Sequence, residues 1–281
     1  MPPAPSRQQQ ETYAISQYFT HHCIWHGSKA LYVCRMDFIK FPMSRESQNE
    51  QTWGFGRIAG FPRVQGAIDC THMALQVPFN NAELFRNKKG YHSLNVQLVC
   101  NHTQHILTVN ARYPGGAHDA FILHKSSVSR IFQQQREGHS WLVGDKGYGR
   151  ATWLMTFLRS PIEAEQRYKE SHAATRNIIV QTIRVLKQRF QYLDPSGGSL
   201  KYSPQQISEF IVVCCMLHNL AIMRGQALPV GTAGPLQEED DDDEEPGEGP
   251  IAQPPHPRGR QRGDASRARG ARRQLIMDQI A

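Results

Sequence analysis

Three aspartates stand where apolar stretches of this sequence stop. Asp69 closes VQGAID within GAIDCTH, Asp145 closes WLVGD within WLVGDKGYG, and Asp119 follows the break in GGAHDAF. Aspartate is a poor strand residue and costly to bury without a partner. Two carboxylates at the ends of neighbouring strands repel each other unless a proton or a cation lies between them. Hard oxygen ligands of this kind suit Mg²⁺ or Mn²⁺. A pair of such ions about 4 Å apart can align a water and a phosphodiester for in-line displacement. Each aspartate alone also has a plainer use: Asp69 in satisfying turn amides, Asp119 as a helix cap, Asp145 as a cap on the Gly-Tyr turn.

The elements that must position these groups read as strands first, then helices. VQGAID (Val64 to Asp69) is a short buried strand. SLNVQLVCN alternates at Leu94, Val96, Leu98 and Cys100, and HILTVNARY follows after NHTQ, so the two predict a hairpin. FILHKSSVSRIFQQQRE carries a rough helical stripe of Phe121, Ile122, Val128, Ile131 and Phe132. WLVGD is a fourth strand, ATWLMTFL a short helix, and SHAATRNIIVQTIRVLKQRF a long amphipathic one. SPQQISEFIVVCCMLHNLAIMRG opens on Ser203-Pro204 and ends at Gly225, both boundary signals. Its IVVCCML run predicts a core helix. YAISQYFTHHCIWHGSKALYVCRMDF can hold a helix, and WGFGRIAGFP reads as a loop into the first strand.

The net charge of +7 hides a division. From Gln226 onward the chain carries 7 Arg and 11 acids, a net of −4, which leaves +11 on the body. That excess points to a polyanionic partner, nucleic acid first. EEDDDDEE (Glu238 to Glu245) and the Arg/Gly-rich RGRQRGDASRARGARR belong to a tail whose composition cannot offset the entropy of ordering, so 226–281 is expected to be disordered. Residues 1–60 read as an extension packing on a main domain over 61–225. No run of 18 apolar residues predicts a membrane span. The six cysteines lack the spacing of a disulfide scaffold and suggest free thiols in a reduced, intracellular compartment.

Taken in order, GAIDCTH, KKGYHSLNVQLVCN, GGAHDAFIL, WLVGDKGYG, the long helix and CCMLHN resemble the nuclease domain of Harbinger transposase-derived proteins, from about Phe38 to Gly225. These belong to the DDE superfamily of endonucleases. The resemblance implies an α/β fold: an RNase H-like mixed sheet flanked by helices. It also implies a divalent metal cation (Mg²⁺ or Mn²⁺) held by Asp69, Asp119 and Asp145 as catalytic residues, with a fourth acid on the long helix. That acid is missing here. Arg176 and Lys187 keep the family's places, and the residue between them is Val180. Spacings of four and seven put the three on roughly one helical face. Between 171 and 208 the sole acid is Asp194, while Glu163, Glu165 and Glu170 are expected to lie before the helix. A valine ligates nothing, so metal-dependent hydrolysis of DNA phosphodiesters is expected to be weakened or lost. Relatives also have a longer region before the first catalytic strand, so this chain reads as short at its N-terminus.

Lys146, Arg176 and Lys187 are the candidate phosphate contacts, with Lys88, Lys89, Arg184 and Arg189 further out; such contacts give salt-sensitive, largely sequence-independent binding. His72 and His118 flank two of the aspartates and read first as local hydrogen-bonding groups. HHCIWH with Cys34 has a zinc half-site spacing without a regular second half. His218 and Asn219 sit in an apolar helix, where structural hydrogen bonding is the default. The leading expectation is a nuclear, transposase-derived nuclease fold acting on DNA. The alternatives are a non-catalytic DNA- or chromatin-binding protein and an adaptor that docks a separate DNA-binding protein.

Overall fold

The computed structural model describes residues 17–76, 81–134, 140–149, 151–157, 166–194 and 202–226. The expected disordered tail, beyond Gln226, lies outside them. Helices α1 (Gln17–Val33), α2 (Arg35–Phe38) and α3 (Arg45–Ala59) precede strand β1 (Val64–Ala74). Then come α4 (Ala82–Phe85), β2 (Ser93–Cys100), β3 (Ile106–Pro114), α5 (Asp119–Lys125), α6 (Ser127–Gln134), β4 (Trp141–Val143), β5 (Leu154–Met155), α7 (Gln166–Arg189) and α8 (Pro204–Met223). The sheet order is β3-β2-β1-β4-β5, with β1, β2 and β3 antiparallel and β4 and β5 joining β1 in parallel. This is the mixed, RNase H-like sheet flanked by helices.

Both faces of the sheet are covered. Val64, Ala67, Met73, Val96, Leu98 and Val143 pack with Ile179 and Leu186 of α7 and Ile207 and Ile211 of α8. Ile68, Val99, Leu107 and Leu142 pack on the other face with Leu123 of α5 and Val128 and Phe132 of α6. From Gly66 onward, alternation sends odd residues of β1 to the α7/α8 face and even ones to the α5/α6 face; the irregularity between Val64 and Gly66 puts Val64 on the α7/α8 face as well.

Four expectations change. β1 does not end at Asp69 but runs on to Ala74, because pairing with β2 continues from Asp69↔Leu98 to Ala74↔Ser93. ATWLMTFL is not a helix: Leu154 and Met155 add a fully buried edge strand beside Leu142 and Val143, and this tertiary pairing overrides local propensity. WGFGRIA is helical rather than a loop, capped by Ser44, whose Oγ accepts from Ser47 N. A glycine stands at position 54 of that helix because a Cβ there would run into the His102 ring. The single helix expected after Asp119 is broken at Ser126, where the backbone is extended; its Oγ donates to Leu123 O and accepts from Ser129 N.

α8 matches its boundary signals. Ser203 Oγ accepts from Gln206 N while the Gln206 side chain accepts from Ser203 N, a reciprocal cap with Pro204 at the first turn. The helix is long and apolar enough to cross a membrane by length and composition, yet most of it is buried against the sheet. Asn219 ties it down: Nδ2 donates to Phe38 O and Ile106 O, and Oδ1 accepts from Ile106 N. All six cysteines are free thiols.

Candidate metal centre

Strand register brings the first and third aspartates together. In the parallel β1–β4 pair, Ala67 lies opposite Val143. Two residues further along, Asp69 and Asp145 therefore stand level on adjoining strands, which run about 4.8 Å apart. Both side chains fall on the α7/α8 face. There the Arg176 guanidinium of α7 meets them with a single nitrogen, Nη2, at 3.1 Å from Asp69 Oδ2 and 3.8 Å from Asp145 Oδ1. The backbone N–H of Cys70 donates to Asp69 Oδ1 at 2.9 Å.

Asp119 comes from the opposite face. It is the first residue of α5, after the N-cap His118, and its Oδ1 accepts from Asn95 Nδ2 at 2.8 Å. The second hydrogen of that amide goes to Ala117 O. Asn95 pairs across the strands with His72, so both belong to the α5/α6 face. The turn Lys146–Tyr148 joins the two sides. A Cβ placed on Gly147 would lie 3.7 Å from Asp119 Oδ2 and 3.8 Å from Asp145 Oδ2. Asp145 thus faces Asp69 and Arg176 with one oxygen and the Asp119 side with the other.

The electrostatics are unresolved by the protein alone. Burial pushes the Asp69 carboxyl up from 3.8 to about 7; Arg176 pulls it down, and the charges of Asp145 and Asp119 push it further up. Two carboxylates, Asp69 and Asp145, share one guanidinium nitrogen. Burial also raises the Cys70 thiol and the Tyr148 phenol, and Tyr148 Oη donates to Cys70 Sγ at 3.2 Å.

Hard oxygen donors with a surplus of negative charge fit a divalent cation, and the Asp69–Asp145 pair is where it fits. Among the described residues no three His, Cys, Asp or Glu side chains stand together closely enough to enclose a metal, which leaves the Asp69–Asp145 pair as the candidate. Glu170, on the first turns of α7, is exposed and accepts from Gln166 Nε2 instead. The zinc expectation also finds no cluster: Cys23 and Cys34 are exposed, His21 stacks on Tyr202, and His22 packs on His26.

Lys146 is exposed immediately after Asp145, and Lys187 lies about three turns along α7 from Arg176. Arg176, expected at phosphates, here faces two carboxylates. Asn95, Cys70 and the role of Tyr148 were not singled out from sequence. Their signal was the second face of SLNVQLVCN, where Asn95 and Gln97 alternate with the apolar set; both faces of β2 are buried. His218 Nε2 donates to Gln104 O and Asn219 anchors β3, as the structural expectation has it.

This sheet order, with carboxylates on the first and fourth strands and a basic helix across them, defines a nuclease-type α/β domain. The sequence profile described as DDE superfamily endonuclease matches residues 68–219, and the chain belongs to that family. It is 39% identical over 212 residues to "Putative nuclease HARBI1" of Homo sapiens, covering 75% of this chain and 61% of that protein. The Rattus norvegicus protein of the same name is 37% identical over 235 residues, 82% of this chain and 67% of the relative. "Protein ALP1-like" of Arabidopsis thaliana is 23% identical over 237 residues, 78% of this chain and 57% of its own length. The chain therefore spans about three fifths of the human relative's length. No solved structure matches it.

Proposed function

We propose that this chain is a transposase-derived, nuclease-type protein that engages DNA and holds a divalent cation between Asp69 and Asp145, with phosphodiester hydrolysis weakened by Val180. The level placement of Asp69 and Asp145 on parallel strands, on one side chain nitrogen of Arg176, carries the reading. A Mg²⁺ or Mn²⁺ ion at this pair would polarise phosphate oxygens and make water a better nucleophile at neutral pH. Asp119, held by Asn95 on the far side of the Lys146–Tyr148 turn, adds negative charge near the pair. Lys146, exposed beside Asp145, and Lys187, on the Arg176 face of α7, take the DNA backbone. Val180 lies one turn from Arg176 on that face and adds neither charge nor a ligand.

The second reading is a DNA- or chromatin-binding protein, or an adaptor for a separate DNA-binding protein, that retains the fold and cuts nothing; Arg176 spanning the two carboxylates favours it. Nicking of supercoiled DNA in Mn²⁺ separates the two. Weak nicking by the natural chain, lost in Asp69→Ala and increased in Val180→Glu, supports the first reading. Salt-sensitive DNA binding with no nicking in either form supports the second, and absence of DNA binding leaves the adaptor. Nuclear residence is part of the same proposal, and imaging of the tagged full chain tests it: exclusion from the nucleus would remove that part.

A further inference from the structure

We propose that Arg176 is a built-in competitor for the divalent cation, so that the site loads only when the guanidinium leaves Asp69 and Asp145. The proposal rests on the metal reading above. One nitrogen stands at 3.1 Å from Asp69 Oδ2 and 3.8 Å from Asp145 Oδ1. These are the two carboxylates whose lone pairs an ion must take, so the guanidinium and the ion exclude each other. A guanidinium stays charged at every working pH, so the competitor itself is not removed by deprotonation.

Among the described residues of α7, no carboxylate is placed to draw the guanidinium off the strands. A carboxylate one turn further along α7 would draw it off the strands, but that position is Val180, and no acid follows on the helix. Glu170, six residues earlier, lies about 120° away around the helix and is engaged with Gln166. Val180 therefore acts twice: it supplies no ligand, and it leaves Arg176 on the carboxylates. The arginine side chain is 33% exposed at the rim of the site, against 13% and 12% for the two aspartates, so it has solvent to swing into when an ion displaces it. The result is a threshold, in which cation concentration has to outweigh a standing ion pair.

The test is a Mn²⁺ titration of the full chain, following free Mn²⁺ by its paramagnetic resonance signal and the unfolding temperature in parallel. Arg176→Gln is expected to bind Mn²⁺ about tenfold more tightly than the natural chain, the fold-change that follows when a competing state is removed. Arg176→Lys, whose ammonium sits on a shorter side chain and is more strongly hydrated, is expected in between and carries the comparison if Arg176→Gln does not fold. Asp145→Asn should abolish binding in every background. Equal or weaker binding in both Arg176 variants, with the Asp145→Asn loss intact, overturns the competitor and leaves the metal reading standing. No binding by any form at millimolar Mn²⁺ overturns both.

Discussion

Asn219 in α8 and Asp69 in β1 are both buried polar side chains. At Asn219 the protein answers every demand: both amide hydrogens reach carbonyls of Phe38 and Ile106, and the amide oxygen takes the Ile106 N–H. At Asp69 it does not. One backbone N–H and a guanidinium shared with Asp145 face a carboxylate that burial has pushed up to about 7. Matched burial of a neutral amide fastens a helix to a sheet; unmatched burial of charge marks the place prepared for something else.

Breaking the matched side should cost most. Asn219→Leu strands one N–H and two carbonyls in the core, and denaturant unfolding is expected to show a loss of about 4 kcal/mol. A loss below about 1 kcal/mol would mean that the anchor is not one.

Relieving the unmatched side should do the reverse. The folded pKa of Asp69 is raised, so its proton stabilises the native state at acid pH, and that stabilisation is lost as pH rises from 3.8 through about 7. Asp69→Asn is therefore expected to be more stable than the natural chain by about 2 kcal/mol at pH 8, with the difference vanishing near pH 4. A variant less stable at pH 8 would show that Arg176 satisfies the carboxylate after all.

His218 has the opposite sign. Burial lowers it from 6.5 to about 4, so the stability of the neutral ring is fully present above 6.5 and is lost as pH falls toward 4. Thermal melts across that window should fall less steeply in His218→Gln, by about 1.5 kcal/mol over the range; identical slopes would exclude a buried neutral ring. Smallest of all, Ser203→Ala removes half of the reciprocal cap on α8 and should cost about 1 kcal/mol in the same melts.

Sequence reading recovered the elements whose signals are local. Ser203-Pro204 and Gly225 bracket α8, and the β2–β3 hairpin lies where the NHTQ turn puts it. It lost those that only the assembled sheet explains. Leu154 and Met155 become a strand because β4 offers a parallel edge, and position 54 in the helix is glycine because His102 leaves no room for a side chain. The aspartates were legible as types, since acids at the ends of apolar runs are rare. Their partition was not: a register between distant strands sends Asp69 to α7, while Asn95 on β2 holds Asp119 on the other face. Nor does the order of residues along α7 reveal that Arg176 turns inward to the strands.

Anomalous scattering from crystals soaked in Mn²⁺ tests the ion site most directly. A peak within bonding distance of both Asp69 and Asp145, with the Arg176 guanidinium displaced toward solvent, is the predicted result. Manganese found elsewhere, or absent while Arg176 still spans the two carboxylates at saturating Mn²⁺, would contradict it.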